Sequence, residues 1–351
     1  MIGLRAFLLL LIVPVTMALG VFGLMASKAM NPPKTAGEQH GYRGTGMVLL
    51  HEPKARAAAL AVNAIPPSVP YAGDEGATAG TVYQNVKVLG DVNVGEFTRL
   101  MVSMTKWVAP DQGCAACHNT ANLADDSLYT KVVARRMLQM VRHINADWTK
   151  HVGETGVTCY TCHRGQLVPP NVWFNNPGSP QAGGFAQIPV GKNHPSTVAG
   201  GSALPFDPFT PFLEQGNEIR ISSSTALQTG NPQSIKQAQW TYALMMNFSK
   251  SLGVNCDFCH NTRSFYSWEG SPPQRVTAWH GIRMVRDLNN TYLNPLRDTF
   301  PRNRLGPAMG DAPKVYCATC HNGVSKPLFG VSMLKDFPEL KAGAQQQSDA
   351  R

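Results

Sequence analysis

The 351 residues carry 31 Lys and Arg against 22 Asp and Glu, a formal charge of +9, yet only 15% are charged and 8% are aromatic. The basic residues are scattered rather than clustered, which excludes nucleic acid as a partner. The 32 glycines and 26 prolines reserve much of the chain for loop.

In chain order, the first feature is an uncharged apolar run at residues 7–25, preceded by Arg5 and followed by Lys28. Its 19 residues would reach about 28 Å as a helix, enough for the hydrocarbon core. Residues 1–26 therefore read as a single N-terminal transmembrane anchor, with a cytoplasmic N-terminus and an exported remainder. A cleaved signal peptide, ending near Ala18-Leu-Gly20, is the competing reading.

Residues 27–90 read as an extended linker, with one short alternating strand at 81–89. A first half, 91–169, opens on a helix whose stripe is Phe97, Leu100, Met101, Met104 and Val108. Pro110 and Gly113 end it. A longer helix over 127–150 carries Val133, Met137, Met140, Val141, Ile144 and Trp148 on one face. Residues 170–235 form a Pro- and Gly-rich connector. A second half, 236–330, has helices at 240–252 and 276–288, then a coil with Pro295, Pro301 and Pro307. The tail, 331–351, ends in a polar stretch from Gly343 that reads as disordered.

All eight cysteines fall into four segments of one form. They are Cys114-Ala-Ala-Cys117-His118, Cys159-Tyr-Thr-Cys162-His163, Cys256-Asp-Phe-Cys259-His260 and Cys317-Ala-Thr-Cys320-His321. C-x-x-C-H is the attachment pattern of a c-type haem: two thiols add to the porphyrin vinyls and the next imidazole binds the iron. Zinc built from paired C-x-x-C segments would not need a His after the second Cys four times over. Four haems would add about −8 in propionates, nearly cancelling the apoprotein charge. C-type haem is attached outside the cytoplasm, in agreement with an exported chain.

The halves match as an internal two-fold repeat of helix, haem motif, helix, haem motif. Leu100-Met101 aligns with Leu244-Met245, Met140-Val-Arg-His-Ile-Asn145 with Met284-Val-Arg-Asp-Leu-Asn289, and the motif at Cys159 with that at Cys317. An electron-transfer haem takes a second axial ligand, often a methionine sulfur. Met101 or Met104 could serve before the first motif, and Met245 or Met246 before the third; the repeat pairs Met101 with Met245. Met137 aligns with Gly281, so a ligand at Met137 has no counterpart in the second half. The iron on the fourth motif then draws on His151, Met284, His280 or His143. His40, His51 and His194 also lie outside the motifs. On one continuous helix Met137 and His151 would share a face, about 21 Å apart. The fold class that results is mainly α with extensive irregular coil: a multihaem cytochrome c with an internal repeat and one N-terminal transmembrane helix.

From residue 41 to 341 the chain resembles the tetrahaem cytochrome c subunit of the purple-bacterial photosynthetic reaction centre. Gly41-Tyr-Arg-Gly44, Tyr83-Gln-Asn-Val-Lys-Val-Leu-Gly90, Val132-Val-Ala-Arg-Arg-Met-Leu138, Gly156-Val-Thr-Cys-Tyr-Thr-Cys-His-Arg-Gly165, Gly281-Ile-Arg-Met-Val-Arg-Asp-Leu-Asn289 and Lys326-Pro-Leu-Phe-Gly330 carry the resemblance. It implies four covalent haems c, three with His/Met ligation (Met101, Met137, Met245) and one bis-His through His151. It implies that Arg275, beside the third haem, raises that haem's potential. The implied role is electron transfer, not catalysis. Electrons would pass from a soluble cytochrome c2 or a high-potential iron–sulfur protein to the photo-oxidised bacteriochlorophyll pair, received at the first haem and released at the third. The implied partners are the reaction-centre L, M and H subunits and light-harvesting complex 1. The implied place is the inner photosynthetic membrane, with the bulk of the chain in the periplasm. Many members carry a lipidated cysteine after the signal; its absence here favours the retained helix. Residues 91–126 hold five acidic and two basic side chains, which leaves the donor open between charge-steered and apolar docking. A multihaem reductase would need an iron with an open position, and a quinol-oxidising cytochrome would lack the family stretches.

Overall fold

The computed structural model describes residues 4–30, 34–39, 48–73, 75–178, 198, 204–221 and 235–341. The chain divides into two compact units, Met1–Ala58 and Ala59–Arg351.

In the first unit, α1 (Leu4–Met30) contains Pro14, as a run of apolar helix formers with one proline permits. Among the described residues no helix is long and apolar enough to cross a membrane. The side chains of residues 4–11, which hold the first part of the apolar run, lie outside the described ones. The anchor expected over 1–26 is thus a helix in backbone, with its spanning character resting on sequence alone. The strands β1 (Ala36–Gln39) and β2 (Val48–His51) pair antiparallel, Ala36 opposite His51 and Gln39 opposite Val48. Residues 27–90 are therefore not one extended linker. They also hold α2 (Pro53–Val62) and α3 (Ala79–Val82). The strand expected at 81–89 is absent: α3 and turns occupy it. The Thr, Val and Tyr of 81–89 alternate without a neighbouring strand to accept their backbone groups, so a helical turn closes the local hydrogen bonds instead.

The larger unit is a haem-motif scaffold. Its first long helix, α4 (Val94–Val108), is capped by Asn93, whose side chain accepts from the Glu96 N–H at 2.8 Å. Leu100 and Trp107 point into the core while Val102 faces out. The helix expected at 127–150 is two elements, α5 (Tyr129–Asp147) and α6 (Thr149–Val152), broken at Trp148. Met137 and His151 therefore do not share one continuous helix face. Then come α7 (Cys159–His163), a π turn at Thr210–Glu214 inside the expected connector, α8 (Ile235–Leu252), α9 (Gln274–Asp287) and α10 (Cys317–His321). The expected disordered tail from Gly343 and much of 179–234 lie outside the described residues.

The same bonds recur at matched positions of the two halves. The Asn145 side chain donates to Val157 O (2.9 Å) and accepts from Val157 N (2.8 Å). Asn289 does the same with Val315, at 3.0 and 2.9 Å. Gly165 N donates to Trp107 O on α4 at 2.8 Å, and Gly323 N to Ser251 O on α8 at 2.9 Å. Matched residues also meet each other: His143 Nε2 lies 2.6 Å from Asp287 Oδ2, and Cys162 Sγ lies 2.9 Å from Cys320 Sγ. α7 packs on α10, with α4 against α7 and α8 against α10.

Asn289 is fully buried and also donates to Leu213 O at 3.0 Å. Removing its amide leaves backbone donors and acceptors of two segments unpaired in the interior. Asn289→Ala should cost about 3 kcal/mol in unfolding by circular dichroism, whereas Asn290→Ala, at an exposed position, should cost about 0.5 kcal/mol.

Candidate functional site

Each C-x-x-C-H forms one helical turn, in two styles. Motifs 2 and 4 are α-helical, and each is closed by a left-handed residue, Arg164 (φ 51°) and Asn322 (φ 47°). In both, the residue before the motif donates its N–H to the threonine between the cysteines, Thr158 to Thr161 and Tyr316 to Thr319, each at 3.0 Å. Motifs 1 and 3 are tighter 3-10 turns at Gly113–Ala116 and Cys256–Phe258. There His118 N and His260 N reach back to Cys114 O and Cys256 O, both at 2.9 Å. Either way two thiols and one imidazole emerge from a single turn.

Every motif histidine has its Nδ1 against a backbone carbonyl. The acceptors are Leu123 O (3.1 Å) for His118, Gln166 O (2.9 Å) for His163, Phe265 O (3.0 Å) for His260 and Val324 O (3.0 Å) for His321. A carbonyl only accepts, so Nδ1 carries the proton and the Nε2 lone pair is left for a metal. Burial pushes the His321 imidazole down to about 4, with His151 beside it adding to the effect. His163 and His260 are lowered by the same desolvation. These rings are neutral at ordinary pH, the form that binds iron. Burial likewise pushes the Cys159 thiol up to about 12.

Among the candidate second ligands, His151 stands out. Its Nδ1 bonds Thr277 O at 2.9 Å, repeating the pattern of the motif histidines. Its ring centroid lies 6.1 Å from that of His321. Two imidazoles on opposite faces of one metal, each nitrogen about 2 Å from it, would hold their centroids about 6 Å apart. Gly281 makes the space: a Cβ there would overlap the His151 ring, with Nδ1 only 2.7 Å away. The position that matches Met137 is thus filled by an imidazole from the other half.

The alternatives fare differently. His143 has both nitrogens engaged, Nδ1 with Asp147 Oδ2 and Nε2 with Asp287 Oδ2, each at 2.6 Å, so neither is open to a metal. Met284 is 5% exposed, a core residue. His280 stacks edge-on to Trp279 at 4.9 Å. Met101 and Met137 are half-buried on α4 and α5, and Met245 on α8; Met104 and Met246 are half-buried too. Arg275 opens α9, donates to Ser271 Oγ (2.8 Å) and Ser267 O, and lies 4.3 Å over the Trp268 ring. His40 and His194 lie outside the described residues. Among the described residues no group of three or more His, Cys, Asp or Glu could hold a metal ion directly.

The photosynthetic reaction centre cytochrome C subunit family model matches residues 31–341. The chain belongs to that family. Over 316 residues it is 52% identical to the photosynthetic reaction center cytochrome c subunit of Thermochromatium tepidum, covering 90% of this chain and 77% of the relative. The protein of that name from Rubrivivax gelatinosus is 50% identical over 327 residues, 93% of this chain and 88% of its own. The one from Roseobacter denitrificans is 40% identical over 343 residues, 92% and 91%. The chain is therefore an electron-transfer subunit of the photosynthetic reaction centre and not an enzyme, it associates with the photosynthetic membrane, and it binds haem c covalently. The residues fit that group: paired thiols on one turn, an imidazole with Nε2 free, and a second imidazole facing it across Gly281.

Three features of the site differ in how far the sequence signals them. The carbonyl acceptors carry no residue signature. Gly281 was visible as a missing side chain, but not as a cradle. The left-handed residues after motifs 2 and 4 were legible as Arg164-Gly165 and Asn322-Gly323, a polar residue followed by the glycine that ends a helix.

Gly281→Ala should expel His151. For a haem on motif 4 held by His321 and His151, as proposed below, the low-spin bis-imidazole signal in electron paramagnetic resonance should be lost, while His143→Ala should leave it in place.

Proposed function

We propose that the chain holds four haems c in a row, each iron closed by two side chains, and conducts electrons from a soluble periplasmic carrier to the photo-oxidised bacteriochlorophyll pair. The bound haems supply reversible one-electron exchange at iron. The carrying observation is the shared arrangement of five imidazoles, each with Nδ1 tied to a carbonyl and Nε2 left open. In this reading His118, His163, His260 and His321 are the proximal ligands, with Met101, Met137, Met245 and His151 opposite them. An iron so closed passes electrons and binds no substrate.

The contact between Cys162 and Cys320 supports an order for the row. On this reading the second and fourth haems are the inner pair, with the first and third outermost. Electrons then enter at the haem on Cys114 and Cys117 and leave at the one on Cys256 and Cys259, where Arg275 contributes a positive charge. The recurrence of the Asn145 and Asn289 bonds supports a duplicated ancestral unit. The L, M and H subunits and light-harvesting complex 1 are the partners in this reading. Attachment through residues 7–25 rests on their unbroken apolar sequence; a mature N-terminus near Ser27 would overturn it.

Charge near the first haem bears on the donor. Asp126 is ion-paired with Arg135 (2.8 Å) and Lys131 (3.0 Å), Asp91 lies 3.4 Å from Arg142, and Glu96 is buried against Arg99. The Arg135 hydrogen bond holds the Asp126 carboxyl well below the usual carboxylate range, so it stays charged and paired. Leu123, whose carbonyl orients His118, is 60% exposed. These features favour a donor that docks through apolar contact, such as a high-potential iron–sulfur protein.

In purified membranes, flashes should oxidise these haems as the pigment pair recovers; haems that stay reduced while it recovers would overturn the reading. Re-reduction by the soluble donor should change less than about threefold between low and physiological salt, where charge-steered docking would fall steeply.

A further inference from the structure

Where motifs 2 and 4 meet, two side chains at matched positions each present a buried nitrogen with no hydrogen-bond partner: Arg164 Nε and Asn322 Nδ2. Both residues directly follow a motif histidine, and both are left-handed. The rest of their polar surface is closely held. Arg164 Nη1 donates to Tyr160 O (3.1 Å), and Nη2 donates to Asn63 Oδ1 (3.0 Å) and Cys320 O (3.2 Å). One guanidinium therefore spans from α7, which carries motif 2, to the backbone of motif 4. Asn63 is 3% exposed and also donates to Asn322 O at 3.4 Å. Asn322 Oδ1 accepts from Asn171 Nδ2 at 2.6 Å. The network Arg164–Asn63–Asn322–Asn171 is thus fixed on both sides of the junction, with two donors left over.

Resting on the reading that motifs 2 and 4 carry haem, these groups lie beside the thiols that would hold both porphyrins, since Arg164 reaches Cys320 O and Cys162 Sγ lies 2.9 Å from Cys320 Sγ. The two donors differ in charge. Asn322 offers a dipole, whereas Arg164 offers a full positive charge that cannot be shed. Its place against the C-terminal carbonyls of α7 and α10 suits a cation. A fixed cation in a poorly hydrated junction opposes the gain of positive charge at iron, and so favours the ferrous state.

We propose that Arg164 sets the reduction potentials of the two inner haems, its fixed positive charge at the junction of motifs 2 and 4 holding both potentials higher than the scaffold alone would.

The test is a spectroelectrochemical titration of the intact membrane complex carrying Arg164→Gln, Arg164→Lys or Asn322→Asp, with haem counted by pyridine haemochrome. Arg164→Gln should shift the oxidised-to-reduced ratio of the inner haems about tenfold at fixed potential, a fall of about 59 mV for a one-electron couple. Arg164→Lys should keep most of the parent value, because it keeps the charge. Asn322→Asp, of the same shape, should also lower an inner potential. The outer two haems should not move. Four haems with unshifted inner potentials in Arg164→Gln would overturn the inference alone, as would equal falls in Gln and Lys, which would mark a helix cap. If Arg164→Gln does not assemble, unshifted potentials in Asn322→Asp overturn it equally. Fewer than four haems on the parent chain would instead sink the underlying reading of four haem sites.

Discussion

The hydrogen bond from an imidazole Nδ1 to a backbone carbonyl is the small constraint on which the site depends. It fixes the tautomer, aims the ring, and leaves one lone pair open. Four times it is made within a few residues of the motif, by carbonyls of the loop that follows. The fifth time, His151 finds its carbonyl on another helix, at Thr277. The local version needs only a turn. The distant version needs α6 and α9 packed in register, and that packing is where the two halves of the larger unit become one structure.

The interior around these rings is built unevenly. Asn145 and Asn289 each staple a long helix to the segment that precedes a haem motif, and each is nearly or wholly buried. Arg142 and Arg286 do similar work toward Glu339 O and Phe212 O. Polar side chains thus replace sheet ladders in holding irregular coil against helix, which is why a chain so rich in Gly and Pro still fixes its haem motifs. Satisfied buried amides of this kind specify one arrangement, because any slip leaves several groups unpaired at once.

What could be read before the fold followed from chemistry that is local in sequence. C-x-x-C-H is one turn long, so its meaning survives without a structure. The stripe at Val141 was sound because burial at i, i+3 and i+4 is a property of one helix, whereas on α4 only Leu100 of the expected stripe is buried and the inner face runs through Glu96, Arg99, Ser103 and Trp107. Failures came where a neighbour decides. The alternation at 81–89 had no partner strand. The run at 127–150 breaks at Trp148, whose indole donates to Asp287 Oδ2 at 3.0 Å from another helix. His143 looked like any other polar histidine until two carboxylates from separate elements were seen on its ring. The roles of the methionines were the hardest to read, since Met101 and Met104 lie on the same half-buried stripe.

Gly281 shows how two matching segments become asymmetric. Its counterpart, Met137, has a side chain to extend; position 281 has none, and an imidazole borrowed from the opposite half lies in the space. The difference cannot be reversed one residue at a time. Restoring a thioether at 281 would evict the ring that now stands there, and withdrawing His151 alone would leave a hollow with nothing to fill it. Divergence at this point acts as a ratchet, so positions 137 and 281 are now committed to unlike packing by the absence of a single methyl group.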